Sequence, residues 1–134
     1  MTAENNHYIS RRQFILTALA GMSALTIGGC DSAKSKVAQQ LTKTIADPDV
    51  TRRFGRLYLD AHPGEADLER LLATIDRRLK ESHGRGIYHD NPQQLAEHLD
   101  RQVRDDFRRG EMVKVDNWLL SRTEARIYAC YALL

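Results

Sequence analysis

Four stretches of apolar residues recur at helical spacing between Val37 and Phe107. An α-helix brings residues three and four apart onto one face, so each stretch predicts one amphipathic helix. This periodicity constrains the fold more than any other feature of the chain, because no stretch alternates as a half-buried strand does. The apolar positions are, in chain order, Val37, Leu41 and Ile45; Val50, Phe54, Leu57, Tyr58 and Ala61; Leu68, Leu71, Leu72, Ile75 and Leu79; and Leu95, Leu99, Val103 and Phe107.

Helix start and stop signals separate the stretches. Asp47-Pro48 and Asn91-Pro92 each place a capping residue before a proline, which suits the first helical position. Pro63-Gly64 interrupts the chain after the second stretch, and Gly110 ends the fourth. Residues 81–90 are predicted to form a loop.

The segment after Gly110 has a different pattern. Met112, Val113 and Val115 alternate imperfectly with polar residues before Asp116-Asn117, a turn pair, which predicts a short extended arm or β-hairpin near 112–120. Ser121-Arg122-Thr123-Glu124 has the spacing of a capping box for a last helix at about 122–134. We therefore expect residues 37–134 to form an all-α bundle of four to five helices with this arm or hairpin.

The predicted last helix is apolar over most of its circumference. Either the other helices enclose it, or one side binds a partner. Trp118, the only tryptophan, either packs beneath this helix or is exposed as an anchor for a partner. Because so small a domain buries its core incompletely, we take Trp118, Tyr128 and Tyr131 as a candidate partner surface and expect a contiguous exposed apolar patch around them.

The first 30 residues have the organisation of an export signal. Residues 10–15 (SRRQFI) include the adjacent Arg11 and Arg12, and residues 14–29 carry no charge. A positive segment joined to a short apolar segment is typical of a signal peptide. The apolar run is too short and too rich in Gly, Ser and Thr for a membrane span, which needs about 20 apolar residues.

The motif S-R-R-x-F-I resembles the twin-arginine translocation signal, with Phe14 as the large apolar residue after the arginine pair. Ile27-Gly28-Gly29-Cys30 resembles the lipobox of bacterial lipoproteins. Together these resemblances imply that residues 1–29 are cleaved and that Cys30 is lipidated. Residues 30–36 then comprise the lipidated cysteine and a polar tether.

This resemblance also implies a location and a set of partners. The partners are the twin-arginine translocase, the lipoprotein-processing enzymes and the membrane itself through the lipid anchor. Asp31 directly after the cysteine resembles a plasma-membrane retention signal. We therefore expect the protein in the cell envelope, on the periplasmic side of the plasma membrane rather than on the outer membrane.

Composition and motifs argue against several classes of function. The chain has 20 Lys+Arg and 18 Asp+Glu, a balance without the basic face that nucleic-acid binding requires. No dinucleotide, nucleotide-phosphate, redox CxxC or GxSxG motif is present, so we expect no cofactor and no catalytic residue. If Cys30 is lipidated, Cys130 has no disulfide partner, and we expect a buried, unreactive cysteine.

The histidines and arginines have conventional interpretations. His83, His89 and His98, with Asp90 and Asp100, are the only grouping that resembles metal ligands, but their spacing fits no metal motif. We expect solvated loop histidines and no metal. The arginine groups at 52, 53 and 56 and at 101, 104, 108 and 109 interleave with acids, so we expect solvated helix faces; contact with lipid headgroups or a partner is the alternative.

Two looser resemblances concern the mature part. The runs FGRLYLDAHPGEADLERLL and VDNWLLSRTEA resemble a group of small exported bacterial proteins of uncharacterised function. The layout of a small helical chain with a twin-arginine signal is similar to the small subunits of membrane-bound gluconate and sorbitol dehydrogenases. That layout implies a non-catalytic accessory subunit whose signal exports a flavoprotein partner. The alternatives are an autonomous structural or ligand-binding lipoprotein of the envelope and, third, an enzyme in its own right.

Overall fold

The computed structural model describes residues 47–88 and 91–134. This part of the chain forms a small helical bundle with one two-stranded hairpin, which confirms the predicted fold class. The first apolar stretch, Val37 to Ile45, lies outside the described residues. In chain order the elements are α1 (Pro48–Ala61), a 3-10 turn (Pro63–Glu65), α2 (Leu68–His83), α3 (Pro92–Arg109), β1 (Met112–Val115), β2 (Trp118–Ser121) and α4 (Arg122–Leu133).

The predicted caps begin their helices. The Asp47 carboxylate accepts hydrogen bonds from the first free N–H groups of α1, and the Asn91 side chain accepts from the Gln94 N–H at 2.9 Å. Ser121 and Glu124 form the predicted capping box at the start of α4. One boundary was predicted wrongly, because α2 continues through residues 81–83 and ends only where Gly84 adopts a left-handed conformation.

Helix α4 lies at the centre of the bundle. It contacts α1, α2, α3 and both strands. Enclosure by the other elements therefore explains why this helix is apolar on so many sides. Its buried residues are Thr123, Ala125, Ile127, Ala129 and Cys130.

Helix α1 packs against α4 closely at Gly55 and buries only part of its apolar stretch. The buried residues of α1 are Thr51, Gly55 and Tyr58. Val50 and Leu57, which we expected in the core, are 44% and 38% exposed. The cause is a close backbone contact: a Cβ atom on Gly55 would lie 2.1 Å from the carbonyl oxygen of Tyr128. The side of α1 that carries Gly55 is therefore buried against α4, and the neighbouring side that carries Val50 and Leu57 is exposed to solvent.

The hairpin is antiparallel and closes through a two-residue turn. Val115 pairs with Trp118 across the turn, and Val113 pairs with Leu120. The turn residues Asp116 and Asn117 have φ angles of 46° and 65°. Positive φ at both positions is typical of a type I′ turn, whose twist matches that of paired strands. The predicted arm or hairpin is therefore a hairpin spanning residues 112–121.

Among the residues that the structure describes, no helix combines the length and apolar character needed to cross a bilayer.

Candidate functional site

Trp118 lies at the turn end of the hairpin and is exposed to solvent. Its side chain is 57% exposed, and its ring meets Phe54 edge to face with the centroids 6.2 Å apart. The interpretation that Trp118 packs beneath the last helix is wrong. The tight turn places Trp118 first on its strand, where its ring rests on α1 rather than beneath α4.

Two contacts hold the hairpin turn against α1. Phe54, half-buried, supports the indole ring. The guanidinium of Arg53 forms an ion pair with the carboxylate of Asp116 in the turn. Since Arg53 and Phe54 are neighbours on one helix, the turn and Trp118 are fixed to the same part of α1.

Tyr128 and Tyr131 are half-buried and do not join Trp118 in one cluster. Tyr128 packs against the core, while Arg52 lies over the ring of Tyr131 at 5.2 Å from its centroid. Residues two apart on a helix point about 200° from each other. Arg52 contacts Tyr131 and Phe54 contacts Trp118, so the two aromatic rings lie on different sides of α1.

Most of the exposed apolar side chains nevertheless lie at one end of the domain. The contacts of Gly55 with Tyr128 and of Arg52 with Tyr131 make α1 and α4 antiparallel, so the last turn of α4 lies beside the first turn of α1. The chain enters the described domain at this end, through Asp47. We define the entry face as Val50, Trp118, Leu133 and Leu134, which are four of the seven exposed large hydrophobic residues in the described part.

Charges around the entry face are balanced. Three exposed arginines of α1 surround an open depression that also includes Asp49 and Leu57. Three acids, two at the start of α1 and one in the hairpin turn, lie in the same region. The arginines are Arg52, Arg53 and Arg56, and the acids are Asp47, Asp49 and Asp116. The expected solvated arginine face is confirmed for these residues and for residues 101, 104, 108 and 109 of α3.

A second candidate is the Glu65 cluster, which consists of Tyr58, Glu65 and Arg126. The Tyr58 hydroxyl donates a hydrogen bond to Glu65 Oε2 at 2.6 Å. Arg126 donates two, from Nε at 2.9 Å and from Nη2 at 2.8 Å. This bidentate pair lowers the pKa of Glu65 to about 2, and the bond from Tyr58 adds to the effect. Burial and the bond to Glu65 raise the pKa of Tyr58 to about 12.

The Glu65 cluster joins three elements rather than forming a reactive site. It ties the 3-10 turn to α1 and α4, and His62 stacks on the Tyr58 ring with centroids 4.3 Å apart. Both Glu65 oxygens accept hydrogen bonds from side chains of the cluster. The shifted pKa values keep Glu65 ionised and Tyr58 protonated across the neutral range, where neither group exchanges a proton. We therefore assign the cluster to the stability of the fold.

A third polar group surrounds Asp106, whose carboxylate is buried. It accepts hydrogen bonds from Gln102 Nε2 at 2.7 Å and from the Thr123 N–H at 2.9 Å, in the first turn of α4. The helix dipole also stabilises a carboxylate beside the first turn of a helix. Arg78 lies 3.7 Å from Asp106 and pairs with Glu111, whose pKa it lowers. Asp106 is one of the acids that interleave with the arginines of α3, and we expected it on a solvated face; its position one turn after Val103, in the apolar stretch of α3, is the signal for burial.

The prediction of solvated loop histidines was wrong for His83 and His98, which the structure describes. His83 is the last residue of α2, and it stacks on His98 of α3 with ring centroids 5.3 Å apart. Both are half-buried, because the two helices pack side by side here. Within residues 47–88 and 91–134, no three potential ligands are placed to hold a metal ion. His89 and Asp90 lie outside the described residues.

Cys130 is fully buried, as predicted. Burial raises the pKa of its thiol to about 12, so the reactive thiolate does not form at neutral pH. The remaining predicted site residues, Cys30, Arg11, Arg12 and Phe14, lie outside the described residues.

Comparison of the chain with protein-family models, with curated proteins and with solved structures gave no match. The resemblances of the leader and of the mature runs are therefore tested only by experiment.

Proposed function

We propose that the protein is an exported, lipid-anchored interaction protein of the cell envelope, held at the membrane through Cys30 and without catalytic activity of its own. The observation that carries this proposal is the position of the entry face. Val50, Trp118 and Leu134 are exposed at the end of the domain where the chain arrives from Cys30. Exposed apolar side chains concentrated at one end of a domain mark sites that contact proteins or membranes.

The specific form that we propose is an accessory subunit. The twin-arginine route suits passengers that fold or assemble before export, and a larger partner, such as an exported flavoprotein, would supply the cofactor. The alternative is an autonomous structural or ligand-binding lipoprotein. Co-purification separates the two: an accessory subunit is recovered from membranes with a larger protein in fixed ratio, whereas an autonomous lipoprotein is recovered alone.

Labelling with a radioactive fatty acid in a bacterial host tests the anchor. The wild-type chain is expected to incorporate label and to fractionate with membranes. The Cys30→Ser variant should incorporate none, because it lacks the thiol that receives the diacylglyceryl group.

The second cysteine supplies the matched control. Cys130→Ser removes a thiol that lies within the bundle, so labelling and membrane fractionation should remain. Equal labelling of the wild type and Cys30→Ser would contradict the proposed anchor. Loss of label in the Cys130 variant with retention in the Cys30 variant would place the lipid on the wrong cysteine for this proposal.

A further inference from the structure

We infer that the partner of the entry face is the lipid bilayer, and that Trp118 inserts into its interfacial layer. The inference rests on the proposed function, since the lipid on Cys30 brings the domain to the membrane. It adds a second point of attachment, made by the folded domain itself, and fixes which end of the bundle faces the membrane.

The length of the chain before the domain limits where the membrane can be. Asp47 follows Cys30 by 17 positions. A fully extended chain of this length reaches about 60 Å, so the start of α1 stays within that distance of the anchored cysteine. The entry face lies at that point and is therefore the end of the domain nearest to the tether.

The side chains of the entry face suit the interfacial layer of a bilayer. Tryptophan is enriched at that depth because its large ring is apolar while its indole N–H can bond to the hydrated headgroups. Trp118 projects from a hairpin turn that Arg53 and Phe54 hold in place. Its side chain is 57% exposed in that position. Insertion therefore needs no rearrangement of the fold.

The arrangement of the face favours a bilayer over a protein groove. Trp118 and Tyr131 lie on different sides of α1, with the exposed Arg53 on the same helix, so the apolar side chains are spread around α1 rather than gathered in one groove. A protein partner would need a surface that fits both sides of α1, whereas a fluid bilayer can adapt to side chains that are spread in this way. The three arginines and three acids of this region balance, so the contact is apolar and does not require anionic lipid.

Fluorescence of Trp118 tests the inference directly, because the chain has one tryptophan. The acylated mature protein, purified from membranes, is reconstituted into vesicles of brominated phosphatidylcholine. Trp118 emission is expected to shift to the blue, to be strongly quenched by the brominated lipid and to be shielded from acrylamide. Addition of anionic phosphatidylglycerol should leave the quenching unchanged.

A variant with the fluorophore moved supplies the control. Trp118→Phe combined with Ala66→Trp places the tryptophan at an exposed position after the opposite end of α1, which is about 20 Å long. Its emission should be accessible to acrylamide and little affected by the brominated lipid. Equal quenching of the two tryptophans would overturn the proposed orientation.

The remaining outcomes separate this inference from the proposed function. Cys30 without acyl groups, as shown by mass spectrometry, would overturn both. Acylated Cys30 with Trp118 open to acrylamide and unquenched by brominated lipid would overturn only the bilayer contact. Shielding from both quenchers would show that the protein covers Trp118 itself, and quenching confined to anionic vesicles would overturn the apolar contact.

Discussion

The α-carbon of Gly55 in α1 faces the backbone carbonyl of Tyr128 in α4, and a Cβ atom at residue 55 would come within 2.1 Å of that oxygen. The contact decides which face of α1 enters the core. It turns Thr51 and Tyr58 inward and leaves Val50 and Leu57 on the surface. Close packing of α1 on α4 at Gly55 therefore accompanies an apolar surface on α1 that stays partly exposed.

Replacing Gly55 with alanine should destabilise the bundle. The new methyl group meets backbone atoms, which cannot rotate away, so we expect a loss of about 1 to 3 kcal/mol or more in the free energy of unfolding. Urea unfolding of the mature protein measures the loss. The matched control is Gly64→Ala, where no atom lies within 4 Å of the added carbon and no loss is expected. Equal stability of the two variants would contradict the close contact.

Replacing Trp118 with alanine should change stability little. The side chain is mostly exposed, so we expect a loss below about 1 kcal/mol and a nearly unchanged melting temperature. The adjacent strand offers the comparison, since Leu120 is 9% exposed and its replacement by alanine should cost about 2 to 5 kcal/mol. Thermal unfolding followed by circular dichroism distinguishes the two. A large loss in the Trp118 variant would show that Trp118 is a core residue.

The helices could be predicted from the sequence because their signals are local. Caps such as Asp47-Pro48 and the Ser121–Glu124 box lie within a few residues of the N–H groups they serve, and α2 and α3 bury the apolar stripes expected of them. Packing partners are not local. The apolar stretch of α1 was as regular as the others, yet it is only partly buried, and Gly55 of the same helix packs against a residue 73 positions later.

The candidate sites were predictable to a smaller extent for the same reason. The turn at Asp116-Asn117 was evident from its residue types, but the exposure of Trp118 depends on where the hairpin meets Phe54. Glu65 and Arg126 are 61 positions apart, and no periodic pattern connects them. The bidentate pair that holds the 3-10 turn therefore has no signal in the sequence.

Acid should weaken the fold through Glu65. Its carboxyl has a pKa near 4.5 when unfolded and about 2 when folded, because it accepts hydrogen bonds from Arg126 and Tyr58. The resulting stabilisation is complete above the unfolded pKa and is lost as the pH falls from about 4.5 through 2. Since the side chain keeps some contact with solvent, we expect about 1 to 2 kcal/mol rather than the full value of the shift.

Urea unfolding of the wild type and of Glu65→Gln over this pH range measures the contribution. The wild type should be the more stable protein at neutral pH, and the difference should shrink towards pH 2 because glutamine does not titrate. A difference that stays constant across the range would show that Glu65 contributes through packing and not through its charge.

Export should depend on the arginine pair of the leader. Replacing Arg11 and Arg12 together with lysine should leave the precursor in the cytoplasm, as fractionation with an antibody to the domain would show. Arg52 and Arg53 form a second adjacent pair before a phenylalanine, within α1, and their replacement by lysine should leave export unchanged. Normal export of the leader variant, with export blocked instead by disabling the general secretory pathway, would contradict the twin-arginine route.

The intact mass of the protein purified from bacterial membranes tests the anchored state most directly. Cleavage before Cys30 with lipid on its thiol predicts a chain that begins at Cys30 and carries a diacylglyceryl group, and whose added mass is released as fatty acid by mild alkali. A mature protein that retains residues 1–29, or that begins at Cys30 with the mass of the unmodified chain, would contradict the proposed lipid anchor.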